Sequence, residues 1–218
     1  MKEYLKSQSK LNTSIINNLF SDDEILRFSK ADYRWTDKHS KPFLCRSVKK
    51  GEIYQFEFGK NYKPEMSYEH RGLVIGIKQK LLYVLPIFSY LPSKHLDVYH
   101  PVDNPRSKSN LFLLKNAEFS FITHDSVLKL NDLRTVSTHR IIYQHKGTIA
   151  TSSDTYKTIE QLVIQKYFPS FLYNYKQLEQ KFLDNQETMK ALASENQELK
   201  QMLSELLENK NSALQVSR

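Results

Sequence analysis

The residue types most able to do chemistry without a cofactor are concentrated in one short segment. Glu65, Ser67, Glu69, His70 and Arg71 supply two carboxylates, a hydroxyl, an imidazole and a guanidinium. An imidazole can take or give a proton near neutral pH, and a guanidinium can bind a phosphate through two hydrogen bonds. Together they could perform acid–base chemistry on a phosphodiester. A solvated, charged surface loop is the alternative that their spacing leaves open.

Other catalytic patterns are absent from the sequence. The seven histidines are scattered, without an H-E-x-x-H pattern, and the only cysteine is Cys45. Five glycines include neither a phosphate-binding loop nor a G-x-S-x-G elbow. We therefore predict no metal site and no cofactor. Cys45 is interpreted as a small buried residue rather than a nucleophile, because a nucleophilic cysteine needs a base beside it.

The single cysteine and the hydropathy also bear on location. One cysteine cannot form an internal disulfide, which fits a reducing cytosol. No apolar run approaches the roughly 20 residues of a membrane span, and the first residues lack an apolar signal segment. These features predict a cytoplasmic protein without a membrane partner.

The charge is distributed unevenly. The chain carries a formal charge of +8, whereas residues 176–210 contain five lysines and seven acidic residues and carry −2. The remainder therefore carries +10, which favours an anionic partner such as nucleic acid.

The elements around the charged segment are predicted to be strands. Residues 53–58 alternate apolar and polar positions, residues 59–69 form a loop, and two apolar runs at 73–77 and 81–87 follow. Asn131 to Val136 indicates a turn. Further strands are predicted at Leu96–Tyr99, Leu111–Leu114, Val127–Leu130, Ile141–Gln144 and Gly147–Ile149. Short strands with short connections predict an antiparallel sheet rolled into a small barrel.

Helices are predicted before the sheet. Residues 3–20 have the spacing of an amphipathic helix, and a second helix over 22–31 begins at a capping box of Ser21 and Glu24. Residues 32–50 are polar and basic and include Tyr33 and Trp35. They are either a linker whose aromatic side chains pack on the domain or a segment that binds single-stranded nucleic acid. We assign residues 1–48 to a helical extension with a basic linker.

Helices are also predicted after the sheet. One begins at Ser153 and Asp154 and packs on the barrel, and Pro169 ends or kinks it. Residues 170–209 form a long helix with heptad spacing, either an intermolecular coiled coil or a helix that folds back. The predicted domains are 1–48, the barrel at 49–168, and 170–218, a coiled-coil helix with a disordered end. The two seam positions are occupied by Phe182, Met189, Asn196 and Leu203, and by Leu178, Asn185, Leu192, Leu199 and Leu206.

Two separated blocks resemble the MazF/PemK-type endoribonuclease toxin family over roughly residues 49–150. The second block runs from Asp125 through Val136 to His139-Arg140 and is similar to the family's S-V…R-T…R pattern. The first block consists of Lys50-Gly51-Glu52-Ile53-Tyr54, Phe58-Gly59, Pro64-Glu65, His70-Arg71-Gly72-Leu73-Val74-Ile75 and Leu85-Pro86-Ile87-Phe88-Ser89.

The resemblance implies an α+β, mainly β fold built on an SH3-like β-barrel. It also implies metal-independent cleavage of single-stranded RNA, such as mRNA, by attack of the 2′-hydroxyl on the adjacent phosphate. A homodimer and a cognate antitoxin protein are implied as partners.

The resemblance further implies a set of site residues. His70 takes the acid–base position, or Arg71 if the alignment slips by one residue, and Glu65 takes the position of the loop carboxylate. Arg134 matches the family's phosphate-binding arginine. Residues that match positions of the RNA-binding groove are Thr135, Ser126 and Arg140.

The match departs from the family pattern at one hydroxyl residue. Phe88 occupies its position, and the hydroxyl comes one residue later, at Ser89. One step along a strand turns a side chain to the opposite face, so either a bulge presents Ser89 or the site lacks this group. The two functional hypotheses are therefore an endoribonuclease toxin and a non-catalytic binding module assembled by its coiled coil.

Overall fold

A computed structural model describes residues 1–39, 41 and 47–216, with side chains described as far as Leu206. Cys45 and the extreme C-terminal end lie outside the described residues. The chain divides into two units, residues 1–167 and a second that begins at Phe168. The elements are α1 (Lys2–Ile16), α2 (Asp22–His39), β1 (Glu52–Glu57), β2 (Glu69–Lys78), β3 (Leu81–Ser89), β4 (Leu111–Leu114), β5 (Ser126–Lys129), β6 (Arg134–Ser137), β7 (Ile141–Thr148), α3 (Asp154–Tyr167) and α4 (Pro169–Val216).

The fold is α+β with one seven-stranded antiparallel sheet. The strand order is β4-β5-β3-β2-β1-β7, and β6 also pairs with β3. One edge of β3 pairs with β6 along Leu81–Val84 and with β5 along Ile87–Ser89. Within the described chain the outer strands β4 and β7 do not pair with each other, so the ladders do not close into a barrel.

Both faces of the sheet are buried. Ile53, Leu73 and Leu85 belong to one apolar cluster, whereas their neighbours Tyr54 and Val74 belong to a second. This division follows from the alternation of side chains along strands. Helix α3 covers the first cluster, because its apolar side chains Tyr156, Ile159 and Val163 are buried in it.

Close packing beside the charged segment depends on Gly72. A Cβ atom there would lie against Val84 Cγ1 and 2.9 Å from Phe56 Cδ2. Any side chain at this position would therefore force β1 and β3 away from β2. Gly72 fixes the path of the strand that carries Arg71.

The N-terminal region contains two helices, and the second is longer than predicted. The capping box is present, since the Ser21 amide donates to Glu24 Oε2 over 2.9 Å and Ser21 Oγ accepts from the Glu24 amide over 3.3 Å. Helix α2 then continues to His39 rather than ending near residue 31. Arg34 explains the extension, because it pairs with Glu57 over 3.0 Å and with Glu69 over 2.5 Å. These contacts hold the helix to the sheet.

The prediction of a linker over residues 32–39 is therefore wrong. Its aromatic side chains do not pack into the domain either, since Tyr33 is 73 % exposed and Trp35 is 64 % exposed. Trp35 instead stacks on His39, with ring centroids 4.8 Å apart. Residues 40 and 42–46 of the predicted linker lie outside the described residues.

Several predictions for the sheet also need correction. Leu96–Tyr99 is not a strand, since only Tyr99 forms a bridge, to Phe112. The predicted turn at residues 131–136 contains the start of β6. The strands predicted at 141–144 and 147–149 are one continuous strand, β7. β2 begins at Glu69, four residues before the strand predicted at 73–77, so His70 and Arg71 lie on a strand rather than in a loop. The strands predicted at 53–58, 81–87, 111–114 and 127–130 are present to within two residues.

The second unit consists mainly of α4. Pro169 is its first residue, a position at which proline's missing amide hydrogen costs nothing. Every side chain from Tyr173 to Leu206 is exposed. Among the described residues, no helix is both long and apolar enough to cross a membrane.

Candidate functional site

One end of the sheet face that carries the first apolar cluster is polar. Residues two apart on a strand share a face, and on four strands a polar residue lies two positions from a buried apolar one. The pairs are Ile53 and Gln55 on β1, Leu73 and Arg71 on β2, Ile87 and Ser89 on β3, and Leu128 and Ser126 on β5. The polar surface begins at Gln55 and Arg71 on β1 and β2, and one ladder row further along, at Ser89 and Ser126, on β3 and β5.

Arg71 is the charged centre of this surface. Its Nη2 donates to Ser126 Oγ over 3.1 Å and lies 3.5 Å from His124 Nε2. Burial lowers the pKa of its guanidinium, which remains charged at neutral pH. Within the described part of the chain Arg71 forms no ion pair with a carboxylate. A half-buried cation without a counter-ion is suited to bind an anion.

His124 is oriented by the hydroxyls around it. Its Nε2 lies 2.9 Å from Ser89 Oγ and its Nδ1 lies 3.1 Å from Thr123 Oγ1. A guanidinium can only donate, so the tautomer that satisfies all these contacts carries its proton on Nδ1 and accepts at Nε2. Ser126 Oγ also donates to the His124 carbonyl over 3.1 Å and holds its backbone. The Nε2 lone pair is thus presented at the surface beside Arg71.

Ser89, not Phe88, faces this cluster. Ser89 pairs with Ser126 in a ladder that has no register shift from Ile87 onward. Phe88 points to the opposite face, where it packs against the apolar cluster that contains Val127. The hydroxyl therefore reaches the site without a bulge, because it lies on the same side of the sheet as Arg71.

A second histidine lies on the neighbouring strand β7. His145 Nε2 lies 2.9 Å from Gln55 Oε1, and Gln55 is the ladder partner of Arg71. Burial and then the charge of Arg71 lower the pKa of His145. His145 is therefore neutral at neutral pH, and it can accept a proton only by opposing the field of Arg71.

His70 does not join the Arg71 cluster. The two are consecutive residues of β2, so their side chains point to opposite faces. His70 lies in a cavity of about 330 Å³ between α2 and the sheet, lined also by Arg27, Lys30 and Tyr68. Burial, followed by the charge of Arg27, lowers its pKa. Of the two alternatives that the sequence left open, Arg71 is the one beside Ser89 and Ser126.

Glu65 and Arg134 meet in a separate group. Arg134 Nε donates to Asp132 Oδ1 over 2.8 Å, and its Nη2 lies 3.4 Å from Glu65 Oε2. Asp132 Oδ2 also accepts from the Met66 amide over 2.7 Å. These contacts join the 59–69 loop to β6. Arg134 is thus neutralised by carboxylates of the chain itself.

The remaining predicted groove residues also lie elsewhere. Thr135 is exposed on β6, where it pairs with Tyr83. Arg140 Nη1 donates to the Glu57 carbonyl over 2.9 Å and packs beside Gly59. Among the residues predicted to bind RNA, Ser126 is the one that contacts Arg71.

Sequence reasoning missed both histidines of the cluster. His124 lies in an irregular segment, and its only signal is its place two residues before Ser126. His145 shares a face with Tyr143, the ladder partner of Gln55, so the period of two could have placed it on this surface. Predicting that either histidine lies in the cluster would have required the strand register.

Among the described residues, no three histidine, cysteine, aspartate or glutamate side chains converge as a set of metal ligands. Compared with protein-family models, the chain matches none, and no curated protein sequence matches it significantly.

Proposed function

We propose that this protein is a cytoplasmic endoribonuclease toxin of the MazF/PemK type that cleaves single-stranded RNA without a metal ion. The observation that carries the proposal is the contact between Arg71 and Ser126, at 3.1 Å. These residues belong to the two blocks that resemble the family, and the fold brings them together with His124 and Ser89. Chemically competent side chains thus converge where the two blocks meet.

An SH3-like barrel is part of the same proposal. It is supported by the branching of β3, which pairs with β6 on one half of an edge and with β5 on the other. Apolar clusters on both faces are consistent with a strongly curved sheet. We assign this sheet to an open variant of the barrel.

The proposed reaction joins the RNA 2′-oxygen to the adjacent phosphorus and breaks the bond from phosphorus to the 5′-oxygen. The products are a 2′,3′-cyclic phosphate and a 5′-hydroxyl. Arg71 binds the non-bridging oxygens, on which negative charge grows in the transition state. Ser89 donates a further hydrogen bond to the same oxygens and releases His124 as it does so.

Two histidines supply the proton transfers. His124 Nε2, which accepts in the free protein, takes the proton of the 2′-hydroxyl. The 5′-oxygen needs a proton as it leaves, and His145, on the other side of Arg71, supplies it. His145 is neutral in the free protein and takes up this proton when the bound phosphate offsets the charge of Arg71, which lowers its pKa. This assigns one base and one acid to opposite sides of the phosphate.

The same surface suggests how an antitoxin would act. A segment with a carboxylate placed against Arg71 would neutralise the cation and exclude phosphate from it. We therefore propose that the cognate antitoxin presents an acidic side chain to this cluster.

The test is cleavage of an end-labelled, single-stranded RNA by the purified chain in EDTA. The parent protein should produce fragments with 2′,3′-cyclic phosphate ends, and His124→Gln should reduce the rate by about 10²- to 10⁴-fold, the usual contribution of a general base. Arg106→Gln removes an exposed charge outside the cluster and serves as the matched control.

Intact RNA with the parent protein would reject the ribonuclease. Fragments that carry 3′-hydroxyl ends would reject attack by the 2′-hydroxyl, and a His124→Gln rate equal to that of the parent would reject His124 as the base. RNA that is bound but left intact would instead support the non-catalytic binding module. Loss of that binding in Arg71→Gln would place it at the same site.

A further inference from the structure

Helix α4 presents an apolar stripe with the period of a coiled coil. The stripe spans four heptads, or about 42 Å at 1.5 Å per residue, and all its described members are exposed. Sustained heptads of this length are typical of a helix that is buried against another helix. The members are Leu178, Phe182, Asn185, Met189, Leu192, Asn196, Leu199, Leu203 and Leu206.

The two asparagines restrict what can cover the stripe. A side-chain amide buried in an apolar seam is costly unless the opposing helix supplies a hydrogen-bonding partner. If an identical helix pairs in the same direction, Asn185 faces Asn185 and Asn196 faces Asn196. If it pairs in the opposite direction, Asn185 faces Asn196 while Phe182 faces Leu199. Both arrangements of two identical helices therefore match every amide with an amide, which an unrelated apolar helix would not.

The charges beside the seam are also compatible with self-pairing. Parallel helices place Glu195 next to Lys200 of the second copy, and antiparallel helices place Glu179 next to that lysine. Neither direction places like charges opposite each other at the flanking positions from Glu179 to Met202. Flanking pairs of this type choose the partner and the register of a coiled coil.

We propose that α4 forms a two-stranded coiled coil with α4 of a second copy of this chain. Asn196 at the first seam position favours two strands over three, because a buried asparagine pair at that position specifies two. The seam residues of α4 do not belong to the Arg71 cluster. The proposal therefore stands or falls independently of ribonuclease activity.

The first experiment measures the mass of the full-length chain by light scattering over a dilution series. The parent should have twice the mass of the 25.7 kDa chain. Leu192→Lys combined with Leu199→Lys should shift the dimer to monomer at a protein concentration at least 100-fold higher than the parent requires. Ala191→Lys combined with Gln197→Lys adds the same charge outside the seam and should retain the parent's mass.

Cross-linking decides whether the seam itself is the interface. In a chain carrying Cys45→Ser, the variant Asn196→Cys should form an intermolecular disulfide by itself if the helices are parallel. If they are antiparallel, the disulfide should form only when Asn196→Cys is mixed with Asn185→Cys. Either result supports the proposal. A monomeric or trimeric parent, or the absence of cross-links in both experiments, overturns it.

Discussion

Two arginines that the sequence placed in one site have opposite electrostatic surroundings. Arg71 contacts a serine and a histidine and has no carboxylate partner among the described residues. Arg134 is paired with Asp132 at 2.8 Å and with Glu65 at 3.4 Å. Of these two arginines, Arg71 is therefore the one that offers an uncompensated positive charge.

The surroundings of Arg71 suit a binding role, whereas those of Arg134 suit a structural one. An arginine whose charge is already balanced gains little from a phosphate, since the phosphate must compete with the carboxylates. An arginine that lacks a counter-ion loses solvation on folding and regains favourable interactions when an anion binds. Residue type and proximity in sequence do not distinguish these cases, whereas the partners of each guanidinium do.

Of the residues in this comparison, Arg71 should give the largest effect when it is replaced. Arg71→Gln keeps a polar side chain but removes the charge, so we expect kcat/KM for RNA cleavage to fall by about 10²- to 10³-fold, the usual cost of losing one such donor. The measurement is the initial rate on a fluorogenic oligoribonucleotide at subsaturating concentration. A decrease of less than tenfold would mean that Arg71 does not stabilise the transition state.

Replacing Asp132 should affect stability instead. Its side chain is 9 % exposed and lies between Arg134 and Lys129, so Asp132→Asn leaves two cations poorly compensated. We expect the free energy of unfolding to fall by about 2–4 kcal/mol, measured by urea denaturation. Glu65→Gln, at a carboxylate whose side chain is 56 % exposed, should cost below about 1 kcal/mol. Equal costs for the two would mean that Asp132 does not hold the loop.

Ser89 tests whether the hydroxyl beside Arg71 participates. Ser89→Ala removes the hydrogen bond that its hydroxyl donates to the phosphate oxygens in the proposed reaction, so cleavage should slow by about 10- to 100-fold, the worth of one hydrogen bond to a charged group. Ser89→Thr keeps the hydroxyl and should restore most of the rate. If Ala and Thr are equally impaired, the defect comes from packing rather than from the hydroxyl.

The smallest expected effect is on the titration of His145. Burial and the charge of Arg71 lower its pKa, so Arg71→Gln should raise that pKa, and Arg134→Gln should not. The resonance of the His145 ring against pH, followed by NMR, measures both. An unchanged titration in Arg71→Gln would mean that burial alone sets this pKa.

Lowered histidine pKa values also make the stability of the fold depend on pH. When a histidine has a lower pKa in the folded state, the unfolded chain binds the proton first as the pH falls. His70 and His145 are both shifted in this direction. The free energy of unfolding should therefore decrease as the pH drops below about 6.5.

The strands with strong alternation could be predicted from the sequence, and those without it could not. Along β1, β2 and β3, apolar residues either alternate with polar ones or follow one another without interruption. In these strands the local sequence pattern therefore matches the observed burial. The sequence predicts a turn over residues 131–136, yet β6 begins within it, at Arg134, because the edge of β3 supplies the hydrogen bonds. Leu96–Tyr99 has the composition of a strand but lacks a partner ladder within the described chain.

The sequence could predict some residues of the site, but it could not predict which of them lie together in space. The resemblance implied Ser126 and left His70 and Arg71 as alternatives, and it put Phe88 rather than Ser89 at the hydroxyl position. It also implied Glu65 and Arg134, which lie in a separate group. Side-chain direction depends on register, and register depends on bulges such as the shift between Val74 and Gly76. His124 joins the cluster across 35 residues from Ser89, a contact that no local pattern encodes.

The unbalanced charge of Arg71 also affects how the protein responds to its medium. Any small oxyanion that binds only the folded state adds to its stability by mass action. Inorganic phosphate or sulfate should therefore raise the melting temperature in a saturable manner, beyond the effect of chloride at equal ionic strength. A melting curve would then report occupancy of the cluster. Phosphate or sulfate in the buffer would compete with any other anion that binds there.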